Sequence, residues 1–169
     1  MSHKNIPRLT MVIPAYNEAS TIVSCLEAIF SQDHPFDEVI IVDNNSTDET
    51  IELAKPFDVK IITEERQGVV YARDAGFDAA TGDIIGRIDA DTLLEKKWTK
   101  ELLRALEDED SAAVTGPVYY HDMPGRSTGQ KVDTMIRQGL DKLSTRAKFL
   151  FGSNMAIRSS AWSVMRDVV

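Results

Sequence analysis

The chain has 169 residues, 43% of them hydrophobic and 27% charged, enough for one domain with a buried core. Its net charge of −8 excludes a protein that grips nucleic acid through clustered Lys and Arg, so a phosphorylated ligand needs local screening by a metal or a few placed cations. The lone cysteine, Cys25, excludes an internal disulfide and a cysteine-built zinc cluster, and no stretch approaches the ~20 apolar residues of a membrane span.

Leu9-Thr10-Met11-Val12-Ile13 predicts a buried strand closed by Pro14. Ile22, Leu26, Ile29 and Phe30 recur at helical spacing and predict a helix from about Ala19 to Ser31, with Cys25 on it as a buried, inert thiol. Val39-Ile40-Ile41-Val42 is a second, β-branched strand that ends at Asp43. Ser46 and Glu49 have capping-box spacing and open a short helix through about Ala54. A third strand, Val59 to Ile62, precedes Gly68 and a helix from about Val69 to Ala80. Thr81-Gly82-Asp83 then turns into a fourth strand, Ile84 to Ile88. Trp98, Leu102, Ala105 and Leu106 mark the next helix, and Ala112 to Gly116 a fifth strand.

Beyond Pro117 the pattern predicts a strand at Val118-Tyr119-Tyr120 and a loop over 121–129. An amphipathic helix follows through Val132, Met135, Ile136, Leu140 and Leu143, then a strand pair or strand-turn from Phe149 to Ile157 and a helix from Ser159. The alternation of strands and helices implies an α/β fold, a three-layer α/β/α sandwich around a mostly parallel, Rossmann-like sheet.

Ligands of open parallel sheets bind beyond the carboxyl ends of the strands. Pro14-Ala15-Tyr16-Asn17-Glu18, Asp43 to Asp48, Glu64 to Gly68 and Asp89-Ala90-Asp91 all fall at that edge. Together they supply an aromatic ring, several carboxylates, an arginine and a glycine. Each suits a nucleoside diphosphate: Tyr16 can stack on a base, Asp43 can accept from a base imide N–H, and Asp91 can bind Mg²⁺ or Mn²⁺ through hard oxygen.

The strings VIPAYNE, IIVDNNSTDET, RQGVVYARDAGFDAATGD and IDADT, in this order over residues 9–99, resemble family 2 glycosyltransferases of the GT-A fold. GPVYY and GSNMAIRSSAW extend the likeness more loosely to 162. The resemblance implies transfer of a sugar, with inversion, from a nucleoside diphosphate to an acceptor hydroxyl, assisted by Mn²⁺ or Mg²⁺. It implies that Asp43 binds the base, that Pro14, Tyr16 and Glu18 lie under the nucleoside, and that Arg66, Gly68 and Arg73 lie in a segment closing over the nucleotide. It maps the DxD motif onto Asp89, Ala90 and Asp91, with Asp89 towards ribose or a metal-bound water and Asp91 on the metal. Residues 8–116 would then form the nucleotide-sugar-binding half and 117–169 the start of an acceptor-side half within one domain. The expected partners are a nucleoside-diphosphate sugar, preferentially of UDP, and a saccharide, lipid-linked or small-molecule acceptor.

The family's general base is an acidic residue well beyond the Gly-Ser-Asn-like segment. Here only fifteen residues follow Asn154, and the sole acid among them, Asp167, lacks the paired context. The catalytic base is therefore left unassigned, and the expectation is a truncated or short chain that binds donor with weak or no transfer. The rival of another kind is a non-catalytic nucleotide-sugar-binding module. A sugar nucleotidyltransferase would carry a Gly-rich, basic loop after the first strand, and a dehydrogenase Gly-x-Gly-x-x-Gly; neither occurs. The polar N-terminus lacks a signal-peptide pattern, which points to a cytoplasmic location with room for a peripheral position at the inner face of a membrane. A homodimer is compatible with the pattern.

Several residues have plainer readings. Asp43-Asn44-Asn45-Ser46 suits a turn, and Asp48 and Glu49 suit a helix N-terminus. Trp98 and Trp162 read as core anchors rather than sugar platforms. His3, His34 and His121 share no metal-ligand spacing. Lys131, Arg137, Lys142, Arg146 and Lys148 read as a solvated face, with an acidic acceptor or a membrane surface as the alternative.

Overall fold

The structure is a computed structural model that describes residues 6–108, 110–116 and 153–166. The strand expected at Val118-Tyr119-Tyr120, the helix through Val132 to Leu143, the strand start at Phe149, and His3, His121 and Asp167 lie outside the described residues. Among the described residues six strands form one sheet: β1 (Leu9–Ala15), β2 (Glu38–Asp43), β3 (Lys60–Thr63), β4 (Ile84–Ile88), β5 (Ala113–Thr115) and β6 (Asn154–Arg158). Five helices accompany them among the same residues: α1 (Ile22–Phe30), α2 (Thr50–Ala54), α3 (Val69–Ala79), α4 (Trp98–Ala105) and α5 (Ser159–Met165).

The sheet order is β3-β2-β1-β4-β6-β5. The pairs β3–β2, β2–β1 and β1–β4 are parallel, whereas β6 runs antiparallel to both β4 and β5. β1 and β4 are central and fully enclosed, which is why they read as continuous apolar runs. β3 is one edge of the sheet, opposite β5, and is half exposed. The mostly parallel sheet expected from the strand-helix alternation is present, with one change: β6 is inserted between β4 and β5.

Helices cover both faces. Met11, Ile13, Ile41 and Ile88 pack with Ile22, Cys25, Leu26 and Ile29 of α1, while Leu9 and Ile84 pack with Leu102 of α4 on the same side. Val12, Ile40, Val42 and Ile85 meet Ala72 and Phe77 of α3 and Trp162 of α5 on the other. Alternating residues of each strand thus feed opposite layers. α3 approaches β1 and β2 so closely that a Cβ on Gly76 would lie 2.3 Å from Val12 Cγ1 and 2.9 Å from Val42 Cγ2.

Both tryptophans are anchors. Trp162 meets Phe77 edge-on at 5.1 Å and donates to Asp78 Oδ1 at 2.8 Å. Trp98 donates to Asn154 Oδ1 at 2.8 Å and packs against Phe36. Two local expectations are corrected. α1 begins at Ile22 rather than near Ala19: residues 19–21 form a lead-in turn in which Glu18 O accepts from the Thr21 and Ile22 N–H groups. Ser46 and Glu49 make no capping box: α2 starts at Thr50, whose N–H donates to Asp48 Oδ1, and Ser46 Oγ accepts from Asn17 N–H. Among the described residues no helix is long and apolar enough to cross a membrane.

Candidate functional site

The register sets the site. Ala15 pairs with Asp43 and Asp43 with Thr63 across β1, β2 and β3. Val12 pairs with Arg87, which brings Asp89, past the end of β4, alongside Pro14. The segments Pro14 to Glu18, Asp43 to Asp48, Glu64 to Gly68 and Asp89 to Asp91 therefore leave the sheet at one edge.

Side-chain hydrogen bonds lace the first two segments together. Asn17 N–H donates to Ser46 Oγ at 3.1 Å, and Thr47 N–H donates to Asn17 Oδ1 at 2.7 Å. Glu18 N–H donates to Thr50 Oγ1 at 2.7 Å, and Ala19 N–H to Asp48 Oδ2 at 3.1 Å. Asn17 and Asn45 have φ of 56° and 69°, a left-handed conformation that asparagine tolerates better than other side chains. Asp43 receives Ser46 N–H on Oδ1 at 2.9 Å, so the turn reading holds for that oxygen. Oδ2 has no hydrogen-bond partner among the described residues.

Asn44 ties in the third segment. Its buried amide donates to the Glu64 and Arg66 carbonyls at 2.7 and 2.8 Å, and its oxygen accepts Gly68 N–H at 2.7 Å. Asn45 adds a bond to Glu65 O at 3.0 Å. Gly68 has φ of 141°, which only glycine adopts without strain. Arg66 forks onto Glu64, at 2.9 and 3.0 Å, and lies 4.7 Å over the Tyr71 ring. The fork and the Arg66 N–H hold the Glu64 carboxyl down at about 2. Arg73, half-buried on α3, pairs with Asp74 at 2.6 Å.

The fourth segment carries the acids. Asp91 is exposed, and Asp89 is partly buried. Burial raises the Asp89 carboxyl above the ordinary range, Arg87 opposes this, and Asp91 adds to it. Beneath them Cys25 Sγ lies 3.9 Å from Asp89 O. Its thiol is pushed up to about 12, first by burial and then by the fields of Asp91, Glu18 and Asp89. One buried sulfur thus feels three carboxylates from two strand ends. Tyr16, at the end of β1, exposes half of its surface.

The described residues contain no group of three or more His, Cys, Asp or Glu side chains arranged to hold a metal. Exposed Asp91 beside Asp89 is a hard-oxygen donor set that fits a magnesium-like or manganese-like ion with most of its shell supplied by a ligand's phosphates or water.

Two residues of this site were not singled out from sequence. Arg87 sits in the apolar run Ile84 to Ile88 and is only 6% exposed. Asn44 read as a turn residue, and its three long-range bonds follow only from the neighbouring position of β3.

Known proteins share this sequence pattern and this fold. The sequence profile described as "Glycosyl transferase family 2" matches residues 10–169. Glycosyltransferase AglE of Haloferax volcanii is 28% identical over 171 aligned positions, covering 96% of this chain and 55% of that protein. The probable glycosyltransferase YdaM of Bacillus subtilis is 34% identical over 125 positions, covering 67% of this chain and 30% of its own length. Among solved structures, the mannosyltransferase PcManGT of Pyrobaculum calidifontis, in complex with GDP-Man and Mn²⁺, superposes with a TM-score of 0.76 at 25% identity, covering 98% of this chain and 47% of that one. Glucosyl-3-phosphoglycerate synthase of Mycobacterium tuberculosis, with Mn²⁺, UDP and glucosyl-3-phosphoglycerate, shares the fold at a TM-score of 0.67 and 23% identity, covering 91% and 57%. The chain spans about half the length of such relatives, or less.

Proposed function

The chain belongs to glycosyltransferase family 2 and has the GT-A fold, and from that premise we propose that its strand-end platform binds a nucleoside-diphosphate sugar and serves transfer of the sugar to an acceptor hydroxyl. The observation that carries this reading is the convergence of Tyr16, Asp43, Asp89 and Asp91 at one edge of four parallel strands, on loops cross-braced by Asn17, Asn44, Ser46 and Asp48.

In this reading the exposed Tyr16 ring stacks on the base over Pro14. Asp43 keeps Oδ1 in its own turn and offers the other oxygen to a base imide N–H, which uracil and guanine carry and cytosine lacks. Glu18 closes the nucleoside side, and Gly68 lets the third loop approach the ligand closely. Arg66 and Arg73 are the cations at hand for the phosphates. Asp89 accepts from a ribose hydroxyl, with Ala90 turning the chain so that Asp91 faces the diphosphate. Asp91 would hold Mn²⁺ or Mg²⁺, an ion that offsets charge on a departing diphosphate as a Lewis acid. Stabilisation aimed at a leaving group is commonly the largest catalytic term, with one good donor worth ~3–4 kcal/mol. Inversion, a UDP donor and a saccharide, lipid-linked or small-molecule acceptor belong to the same proposal.

The test is calorimetric titration of UDP, GDP and TDP into the purified chain, with and without Mn²⁺, beside Asp91→Ala. The reading expects Mn²⁺-dependent binding of at least one nucleotide, abolished by Asp91→Ala. Absence of binding by all three in the presence of Mn²⁺ overturns it.

A further inference from the structure

Arg87 is the one arginine of β4, and its side chain is 7% exposed. Its register partners are Val12 on β1 and Met155 on β6, so it stands in the middle of the sheet. It shares the β4 face of Ile85, whose neighbours are the apolar side chains under α3 and α5. Burying a guanidinium is costly unless it is paired. Its pairing is narrow: Nη2 donates to Asp89 Oδ1 at 2.5 Å, and the buried Nε has no hydrogen-bond partner among the described residues. The charge of Arg73 on α3 acts on it from the neighbouring helix. A purely structural role would be filled more cheaply by an apolar side chain, as at every other position of β4 except Gly86. The arginine is kept where it meets one acid of the Asp-x-Asp pair.

We propose that Arg87 is a positioning residue: it pins one oxygen of Asp89 and cancels its charge, so that Asp89 presents its second oxygen to the nucleotide while Asp91 alone attracts the cation. This rests on the donor-site reading above and adds the residue that keeps its two acids unequal. Two unpaired carboxylates one residue apart would both draw a divalent ion. With Arg87 in place they are chemically unequal. The guanidinium also lowers the negative field that an incoming diphosphate meets.

The experiment is a double-mutant cycle of Arg87→Met and Asp89→Asn on the full chain, read by two binding constants: UDP and GDP in the presence of Mn²⁺, and Mn²⁺ alone by the resonance signal of the free ion. Arg87→Met is expected to weaken nucleotide binding by about tenfold, the scale of one charge-assisted bond. It is expected to strengthen binding of Mn²⁺ alone, because Asp89 is released. In the Asp89→Asn background both changes should vanish. Loss of general packing would weaken both ligands together and would not couple to Asp89.

If Arg87→Met does not fold, Arg87→Gln serves in the same cycle, since it removes the charge and keeps a polar head. Unchanged nucleotide affinity in the variant that folds, or effects that multiply with those of Asp89→Asn, overturn the inference and leave the donor site standing. An unmodified chain that binds neither nucleotide overturns the donor-site reading and this inference with it.

Discussion

The side-chain oxygen of Asn44 accepts the N–H of Gly68 at 2.7 Å, joining the end of β2 to the cap of α3. The same amide donates to two carbonyls of the intervening loop. A single buried side chain therefore fixes the loop that carries Glu64, Arg66 and Gly68. Asn44→Ala takes this partner from two loop carbonyls and the Gly68 N–H, a loss of roughly 3 kcal/mol for three part-buried bonds. Urea unfolding should show it as a lower midpoint at unchanged slope, and nucleotide affinity should fall as well. Asn44→Asp keeps the acceptor for Gly68 and loses the two donors, so its cost should exceed that of an exposed Asn→Asp change.

Gly76 sets how close α3 comes to the sheet. A Cβ there meets Val12 Cγ1 at 2.3 Å and Val42 Cγ2 at 2.9 Å. Gly76→Ala should destabilise by about 1–3 kcal/mol, the range of an overpacked core, despite alanine's better helix propensity. Adding Val12→Ala should return part of that loss. Chemical denaturation of the single and double variants checks the sign.

Tyr16 exposes half its surface and stands at the end of β1. Tyr16→Ala should weaken nucleotide binding by about 1–3 kcal/mol, the cost of losing base stacking. The thermal midpoint should hardly move. A fall in stability with unchanged affinity would assign the ring to packing.

Two titrations follow from the local fields. Glu64 is held down at about 2 by Arg66. Its contribution to stability is present above the ordinary carboxylate range and is lost as pH falls through about 2. Carbon-detected NMR of the carboxyl should place its midpoint there, and Arg66→Gln, which removes the guanidinium and keeps the backbone N–H, should raise it part of the way towards the usual range. The Cys25 thiol is raised from 9.0 to about 12. Its contribution is intact below 9 and is lost as pH rises towards 12. At pH 8 the folded chain should resist alkylation that the unfolded chain accepts readily.

Much of this architecture was legible in the residues. β1, β2 and β4 announce themselves as apolar runs because both of their faces are covered, and the acids that follow mark the edge where the strands end. The antiparallel insertion of β6 beside β4 was not legible: strand order across long sequence separation leaves no local trace in Asn154 to Arg158. Ser46 was misread for a related reason. Its spacing to Glu49 fits a cap, but Asn17 from another loop claims its hydroxyl. Arg87 and Asn44 were overlooked because their roles depend on partners fixed by register and topology.

The central claim is that four strand ends form one nucleotide site. The most direct measurement is an amide ¹H–¹⁵N titration of the isotopically labelled chain with UDP and with GDP, in the presence of diamagnetic Mg²⁺. The account predicts shifts concentrated at Tyr16 to Glu18, Asp43 to Asp48, Glu64 to Gly68 and Asp89 to Asp91, all saturating with one binding constant. Shifts gathered elsewhere, or no shifts with either nucleotide, would contradict it.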